Sequence, residues 1–221
     1  AYELTNNIAY KAAAEKAGAY SLSVAGYNSS GGTWTGSLTG AEVYSMARLS
    51  AIQATPASNS WRTALVDYLD AADAGYLVGW YGINADDSSA VYDVARRAVA
   101  AEYVNHADKA IWRDGVITLL GDVDDADASP VMALGAAVWA LTATGDISTD
   151  TDVVSVLGGV QIKDLPDELA ALQDVADGSF YTKFDTAAGS GYTETTVMGT
   201  LGLQAADASS LAYSYSSEIA S

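Results

Sequence analysis

The densest group of side chains that could do chemistry is a run of aspartates at Asp122, Asp124, Asp125 and Asp127. Carboxylate oxygens are the ligands that Ca²⁺ prefers, and roughly six to eight oxygens complete its coordination. The spacing does not follow the EF-hand rule, because Asp127 stands where that loop requires glycine. Three interpretations stay open: a solvated acidic loop, a calcium site built from these residues, or neighbouring carboxylates of which one holds a proton. Calcium is the one cofactor that the sequence suggests.

A second group of candidates combines aromatic rings, on which a sugar can stack, with carboxylates. The candidate ligand-binding residues, in segments that we expect to precede helices, are Trp34, Trp80, Tyr81, Phe180, Tyr181 and Tyr192. Glycoside hydrolysis needs two carboxylates facing such a surface. If the protein is an enzyme, its candidate catalytic residues are Asp177, Glu194 and Asp86. The chain holds 28 acidic residues, so some carboxylate falls near any aromatic ring, and the sequence favours binding over catalysis.

Histidine and cysteine chemistry is narrowly limited. His106 is the only histidine and there is no cysteine, which excludes thiolate metal sites, a cysteine nucleophile and a zinc site of several histidines. A Ser-His-Asp triad would have to use His106. Because His106 follows the end of a helical pattern, we expect it to cap a helix rather than to catalyse.

Charge and hydropathy exclude two classes of partner. With 28 acidic against 10 basic residues, the formal charge of −18 repels nucleic acid and anionic membranes. The longest apolar run, residues 131–141, is shorter than the ~20 residues of a membrane helix, so we expect no membrane insertion. The chain begins at Ala1 without methionine, as a mature protein does after removal of a signal peptide, and we therefore expect secretion.

Apolar residues recur at the spacing of amphipathic helices through most of the chain, as at Val91, Val94, Ala95 and Ala98. These stripes predict helices near residues 40–54, 60–74, 88–105, 107–120, 130–143, 164–175, 191–206 and 208–220. A short β-hairpin is also expected within residues 21–35.

Helix starts and composition indicate how the helices are arranged. Thr39 and Glu42 form a capping-box pattern, and Ser129 with Pro130 is typical of an N-cap followed by a first helical residue. The helices that begin near 40, 88, 130 and 191 are rich in alanine and glycine, whereas those between them carry more charge. This alternation predicts helical hairpins with an inner and an outer layer.

The segment 172–180, Leu-Gln-Asp-Val-Ala-Asp-Gly-Ser-Phe, resembles the point at which α/α-toroid proteins close one helical hairpin and enter the next. That superfamily includes terpenoid cyclases, prenyltransferases, complement thioester domains and bacterial carbohydrate-active domains. The resemblance implies an all-α fold, an incomplete or small α/α toroid formed by residues 1–221 as a single domain. Residues 122–125 also match the Asp-x-Asp-Asp pattern of class II terpene cyclases, which are much longer proteins.

A second resemblance concerns residues 92–96 and 107–113, which are similar to uncharacterised secreted bacterial proteins that carry a C-terminal sorting tail; it implies no known activity. Together these observations favour a secreted, non-enzymatic protein that binds or assembles at a cell surface or in a matrix, with a glycan or a second copy as partner. The fourteen tyrosines and five tryptophans suit such contacts. The alternative is a glycan-cleaving enzyme, either a glycoside hydrolase or a polysaccharide lyase.

Overall fold

The computed structural model describes residues 2–145, 147–209 and 212–220, and it confirms the all-α fold. The helices are α1 (Tyr2–Thr5), α2 (Ile8–Val24), α3 (Gly40–Ala51), α4 (Ser60–Ala71), α5 (Ala74–Asn84), α6 (Asp87–Tyr103), α7 (Lys109–Leu120), α8 (Pro130–Thr144), α9 (Leu165–Ala170), α10 (Thr193–Ser209) and α11 (Ser216–Ile219). Strands β1 (Val153–Val154) and β2 (Val160–Gln161) pair antiparallel between α8 and α9.

Local signals fix several helix starts. At α3 the Thr39 side chain accepts from the Glu42 N–H, and the Glu42 carboxylate accepts from the Thr39 N–H, so the capping box is confirmed. Pro130 is the first residue of α8, where its missing N–H costs no helical bond. Ser129 precedes it, but its side chain makes no capping hydrogen bond.

Four helices form an inner row in chain order: α3 packs on α6, α6 on α8, and α8 on α10. The outer helices α4, α7 and α9 pack against this row. Glycines allow the inner helices to approach closely. A Cβ added at Gly135 of α8 would lie 2.7 Å from the carbonyl oxygen of Met198, and one at Gly202 of α10 would lie 2.7 Å from that of Gly135. The backbones of α8 and α10 are therefore in direct contact.

The inner row is curved. Tyr44 of α3 and Trp139 of α8 flank α6, yet their rings meet edge to face with centroids 5.0 Å apart. On α6, Arg97 faces the outer helices, whereas Tyr92 and Tyr103 lie on the opposite, partly exposed side. The partly exposed side of the inner row is therefore its concave side.

Several elements differ from the expectations. Trp80 and Tyr81 were expected in a loop, but they lie in the helix α5. The helix α2 was not predicted, and the segment expected to form a hairpin holds the end of α2 and a loop with a single bridge between Asn28 and Thr33. The helix expected near 164–175 ends at Ala170, and of that expected near 208–220 the described residues contain only α11 after α10 ends. Residues 210 and 211 lie outside the described part.

Candidate functional site

The start of α6, the loop before α8 and the loop before α10 meet at one end of the molecule; we call residues 86–88, 122–129 and 183–185 the acidic rim. Asp86 accepts a hydrogen bond from the Ala128 N–H at 3.1 Å, and the Ser88 hydroxyl accepts one from the Ser129 N–H at 3.2 Å. These bonds hold the start of α6 beside the start of α8. The neighbouring inner helices α6 and α8 therefore begin at the same end of the molecule.

Asp125 connects the same end to the loop before α10. Its carboxylate accepts from the N–H of Phe184 at 2.7 Å and from that of Asp185 at 2.9 Å. The Lys183 ammonium donates to the carbonyl oxygens of Asp125, at 3.0 Å, and Asp127. The Lys183 ammonium therefore occupies two backbone carbonyl oxygens that could otherwise coordinate a cation in this loop.

Two further aspartates of the predicted calcium site, Asp127 and Asp124, also accept hydrogen bonds from backbone amides. Asp127 is buried and accepts from the N–H groups of Asp124, at 2.8 Å, and Asp87, at 3.2 Å. Asp124 accepts from the Ala126 N–H at 2.7 Å. Within the described residues, no three histidine, cysteine or acidic side chains come together as a metal site. Calcium binding by Asp122, Asp124, Asp125 and Asp127 stays a prediction, and any ion would compete with these hydrogen bonds.

Two neighbouring carboxyls of the rim have pKa values shifted in opposite directions. Burial raises the pKa of Asp87, and the nearby charges of Asp127, Asp122 and Asp86 raise it further. Burial also acts to raise the pKa of Asp86, but hydrogen bonds from Ser88 and from backbone N–H groups outweigh it and lower that pKa. The rim therefore places a carboxyl that retains its proton more readily beside one that ionises more readily.

The predicted aromatic residues lie in separate surroundings. Trp34 is half-buried, and its ring contacts those of Tyr27, with centroids 4.5 Å apart, and Tyr68, at 5.1 Å. Trp80 is 43% exposed and contacts the ring of Tyr81 at 5.2 Å. Among the residues that the structure describes, this last pair is the one ring contact within the six predicted ligands.

Phe180 was a candidate for an exposed ring that stacks on a ligand, but it does not lie on the surface. Its side chain is fully buried, and its ring occupies the space that a side chain at Gly199 of α10 would need. Its N–H donates to the Thr196 hydroxyl at 3.0 Å. Phe180 therefore anchors the loop to α10, whereas Tyr192 is 58% exposed and Tyr181 is half-buried.

Two predicted carboxylates, Asp177 in the loop before α10 and Glu194 in α10, are both exposed. Asp177 accepts from the Ser179 N–H at 2.9 Å, and this bond lowers its pKa. Glu194 lies in the first turn of α10, where a negative charge is favourable. No ion pair of Glu194 is found within the described residues.

A buried polar network that the sequence analysis did not predict links α4, α5, α6 and the segment that precedes α3. Arg97 is 2% exposed and donates to Asp93 at 2.8 Å, to the Tyr68 hydroxyl at 3.0 Å and to the Leu38 carbonyl at 2.6 Å. The Tyr81 hydroxyl donates to Asp93 at 2.6 Å; burial and this bond raise the pKa of Tyr81 to about 12. Every polar group of the network is partnered, so we assign it a structural role.

His106 is likewise structural. It is buried, its Nε2 lies 3.0 Å from an Asp70 oxygen, and its Nδ1 accepts from the Asp108 N–H at 3.1 Å. The acceptor role of Nδ1 places the proton of a neutral ring on Nε2. The ring therefore lies beside the start of α7, while the His106 N–H donates to the Ala101 carbonyl oxygen at 2.9 Å after the left-handed Asn105 (φ 48°), so His106 also caps the end of α6 as expected.

A cleft with a volume of about 530 Å³ lies between α2 and α3, at the N-terminal edge of the inner row. Its walls are mainly apolar and include Tyr10, Ala14 and Gly18 of α2, Tyr44 and Arg48 of α3, and Ile52, which follows α3. The cleft exists because α2 approaches α3 closely at only a few points, such as Gly18, where an added Cβ would be 2.8 Å from Leu49. The Arg48 guanidinium pairs with Glu3 and donates to the Tyr103 hydroxyl at 2.9 Å, which closes one end.

Comparison of the chain with protein-family models, with curated proteins and with solved structures gave no match. Within the described residues, no helix combines the length and the apolar character that crossing a bilayer requires.

Proposed function

We propose that this is a secreted, non-enzymatic extracellular protein that assembles through its exposed helical edges, at a cell surface or in a matrix. The observation that carries the proposal is α2. This helix of seventeen residues has no buried residue, and it exposes Ile8 by 77%, Tyr20 by 72% and Val24 by 69%. Most helical stability in proteins comes from packing an apolar face, so a helix this exposed gains stability when a partner covers it.

The cleft beside α2 supports the same proposal. Its apolar walls leave both α2 and the facing side of α3 incompletely packed, although protein interiors are normally filled to the density of organic crystals. Association that covers the N-terminal edge would remove this apolar surface from water, at about 25 cal/mol per Å².

The acidic residues predicted for catalysis support a non-enzymatic role. Asp86 accepts bonds from Ser88, Ser89 and Ala128, and hydrogen bonds lower the pKa of both Asp86 and Asp177. A general acid of a glycosidase needs a raised pKa instead. These two carboxylates are thus better suited to capping backbone amides than to donating protons.

The direct test is the mass of the full chain in solution over a wide concentration range, measured by sedimentation velocity and light scattering at about 0.15 M salt, where the Debye length is about 8 Å. Assembly predicts a mass that rises with concentration above that of the 22.8 kDa chain. A strictly monomeric protein at every concentration would contradict the proposal.

The second candidate is a glycan-cleaving enzyme, and one observation favours it. Asp87, with its raised pKa, lies beside the ionised Asp86, and such a divergent pair is how one site holds both an acid and a base. The exposed rings of Trp80 and Tyr192 could stack on a sugar. Release of reducing ends, or of unsaturated products, from a polysaccharide panel would support this candidate if Asp87→Asn abolished it and Asp114→Asn, a change of an exposed aspartate on α7, did not.

A further inference from the structure

We propose that the assembly contact is head-to-tail: the exposed face of α2 in one copy packs against the exposed face of α10 in a second copy. This inference rests on the proposed function and names its partner surface. The two helices lie at opposite ends of the chain's helical array, with α2 beside α3 and α10 beyond α8. Each therefore has a side that no later or earlier inner helix covers.

The exposed face of α2 is a regular stripe. Half-buried positions of α2 that face the protein include Lys11, Glu15, Gly18 and Leu22. On the opposite side, at the same three- and four-residue spacing, all members are exposed. They are Ala9, Ala13, Lys16, Tyr20 and Val24. This face is small, apolar and carries one cation.

The exposed face of α10 has the matching form. Its buried side packs on α8 and α9 and includes Met198, Gly202 and Leu203. Its outer stripe, at the same spacing, is Glu194, Val197, Leu201, Gln204 and Ala208. Val197 is 59% exposed and Leu201 is half-buried. This face has an apolar centre and carries one anion.

Charge decides which faces can meet. Residues 1–50 carry three acidic and three basic side chains, whereas residues 184–221 carry four acidic and no basic ones. A contact between two α10 faces would bring anion against anion in a protein of charge −18, whereas an α2 face opposite an α10 face brings Lys16 toward the acidic end. Within the described residues, neither Lys16 nor Glu194 forms an ion pair. Electrostatics therefore favours the unlike pairing.

A contact between two different faces of the same chain is heterologous, so it repeats from copy to copy and produces a ring or an open filament. A contact of α2 with α2 would be isologous and would stop at a dimer. The two architectures are distinguished by blocking one face at a time.

The experiment uses the full chain with Tyr20→Asp, which blocks the α2 face, or Val197→Asp, which blocks the α10 face. Head-to-tail packing predicts that each variant alone associates about tenfold or more weakly than the unaltered chain, because the altered side chain lies at the centre of the contact. An equimolar mixture should form heterodimers that do not grow, since one copy retains an intact α2 face and the other an intact α10 face.

Glu194→Lys, a change on an exposed position, should weaken association as well through repulsion of Lys16. The matched control is Ile83→Asp on α5, outside both proposed faces, where the side chain is 84% exposed and association should be unchanged. Circular dichroism of each variant verifies folding.

Two results would overturn the head-to-tail contact while the association of the unaltered chain still supports assembly. The first is that Val197→Asp and Glu194→Lys both associate as strongly as the unaltered chain. The second is that the mixture of Tyr20→Asp and Val197→Asp remains monomeric. An unaltered chain that is monomeric at every concentration removes both.

Discussion

Replacing Gly135 by alanine tests the closest contact in the inner row. A Cβ at Gly135 would lie 2.7 Å from the Met198 carbonyl oxygen and 2.9 Å from the Gly199 nitrogen. Both are backbone atoms of α10, so no side-chain rotation can relieve the clash. The substitution must push α8 and α10 apart, which also disturbs the helix that carries the proposed α10 face.

Two opposing effects set the size of the change. Alanine is favoured over glycine in a helix interior by about 0.8–1 kcal/mol, whereas overpacking a well-packed core costs about 1–3 kcal/mol. Because the contact is with rigid backbone, we expect overpacking to dominate and the free energy of unfolding to fall by about 1–2 kcal/mol. For a chain of this length that lowers Tm by about 2–8 °C.

The matched control is Gly79→Ala in α5, where an added Cβ meets nothing within 4 Å. There the helix preference acts alone, and the substitution should stabilise the protein by up to about 1 kcal/mol. Urea unfolding followed by far-UV circular dichroism measures both variants. If Gly135→Ala is as stable as Gly79→Ala, the close packing of α8 on α10 is wrong.

Four further results are expected. Asp93→Asn leaves the buried Arg97 without its counter-charge and should cost about 3–5 kcal/mol in urea unfolding; a loss below about 1 kcal/mol would contradict the buried pair. The raised pKa of Asp87 means that its ionisation opposes folding as pH rises through the folded pKa, so Asp87→Asn should stabilise the protein at neutral pH and lose this effect in acid. Asp86 caps α6 and has a lowered pKa, so Asp86→Ala should instead cost about 1 kcal/mol at neutral pH, and equal signs for the two variants would refute this assignment. Added salt should raise Tm, because it screens the repulsion within a chain of charge −18. If the acidic rim binds calcium, Tm should be higher in Ca²⁺ than in Mg²⁺ at the same ionic strength.

The sequence determined the helices whose signals are local. The capping box at Thr39 and the proline at position 130 marked the starts of α3 and α8 to the residue, and the stripe through Val91 and Val94 marked α6. These signals are reliable because capping bonds and apolar periodicity act within a few residues of the chain.

Two long helices, α2 and α5, were not predicted from the sequence, and the reason is physical. In α2 small and aromatic side chains occur on both the exposed face and the face toward the protein, so no apolar stripe marks a buried side in the sequence. In α5, Gly79 and Gly82 suggested a turn. The structure instead shows a helix that Asp73 caps and whose Val78 side chain fills the space beside Gly115 of α7. Packing by a neighbouring helix outweighed the weak helix preference of glycine.

The arrangement of the candidate site residues depended on the tertiary structure more than the helices did. Sequence identified Asp125 as a candidate ligand, but only folding brought it to the N–H groups of Phe184 and Asp185, about sixty residues away. Sequence placed Phe180 before an inner helix, but the close approach permitted by Gly199 buried its ring. The types of side chain are fixed by the sequence, whereas their exposure and partners depend on how helices distant in the chain stack on one another.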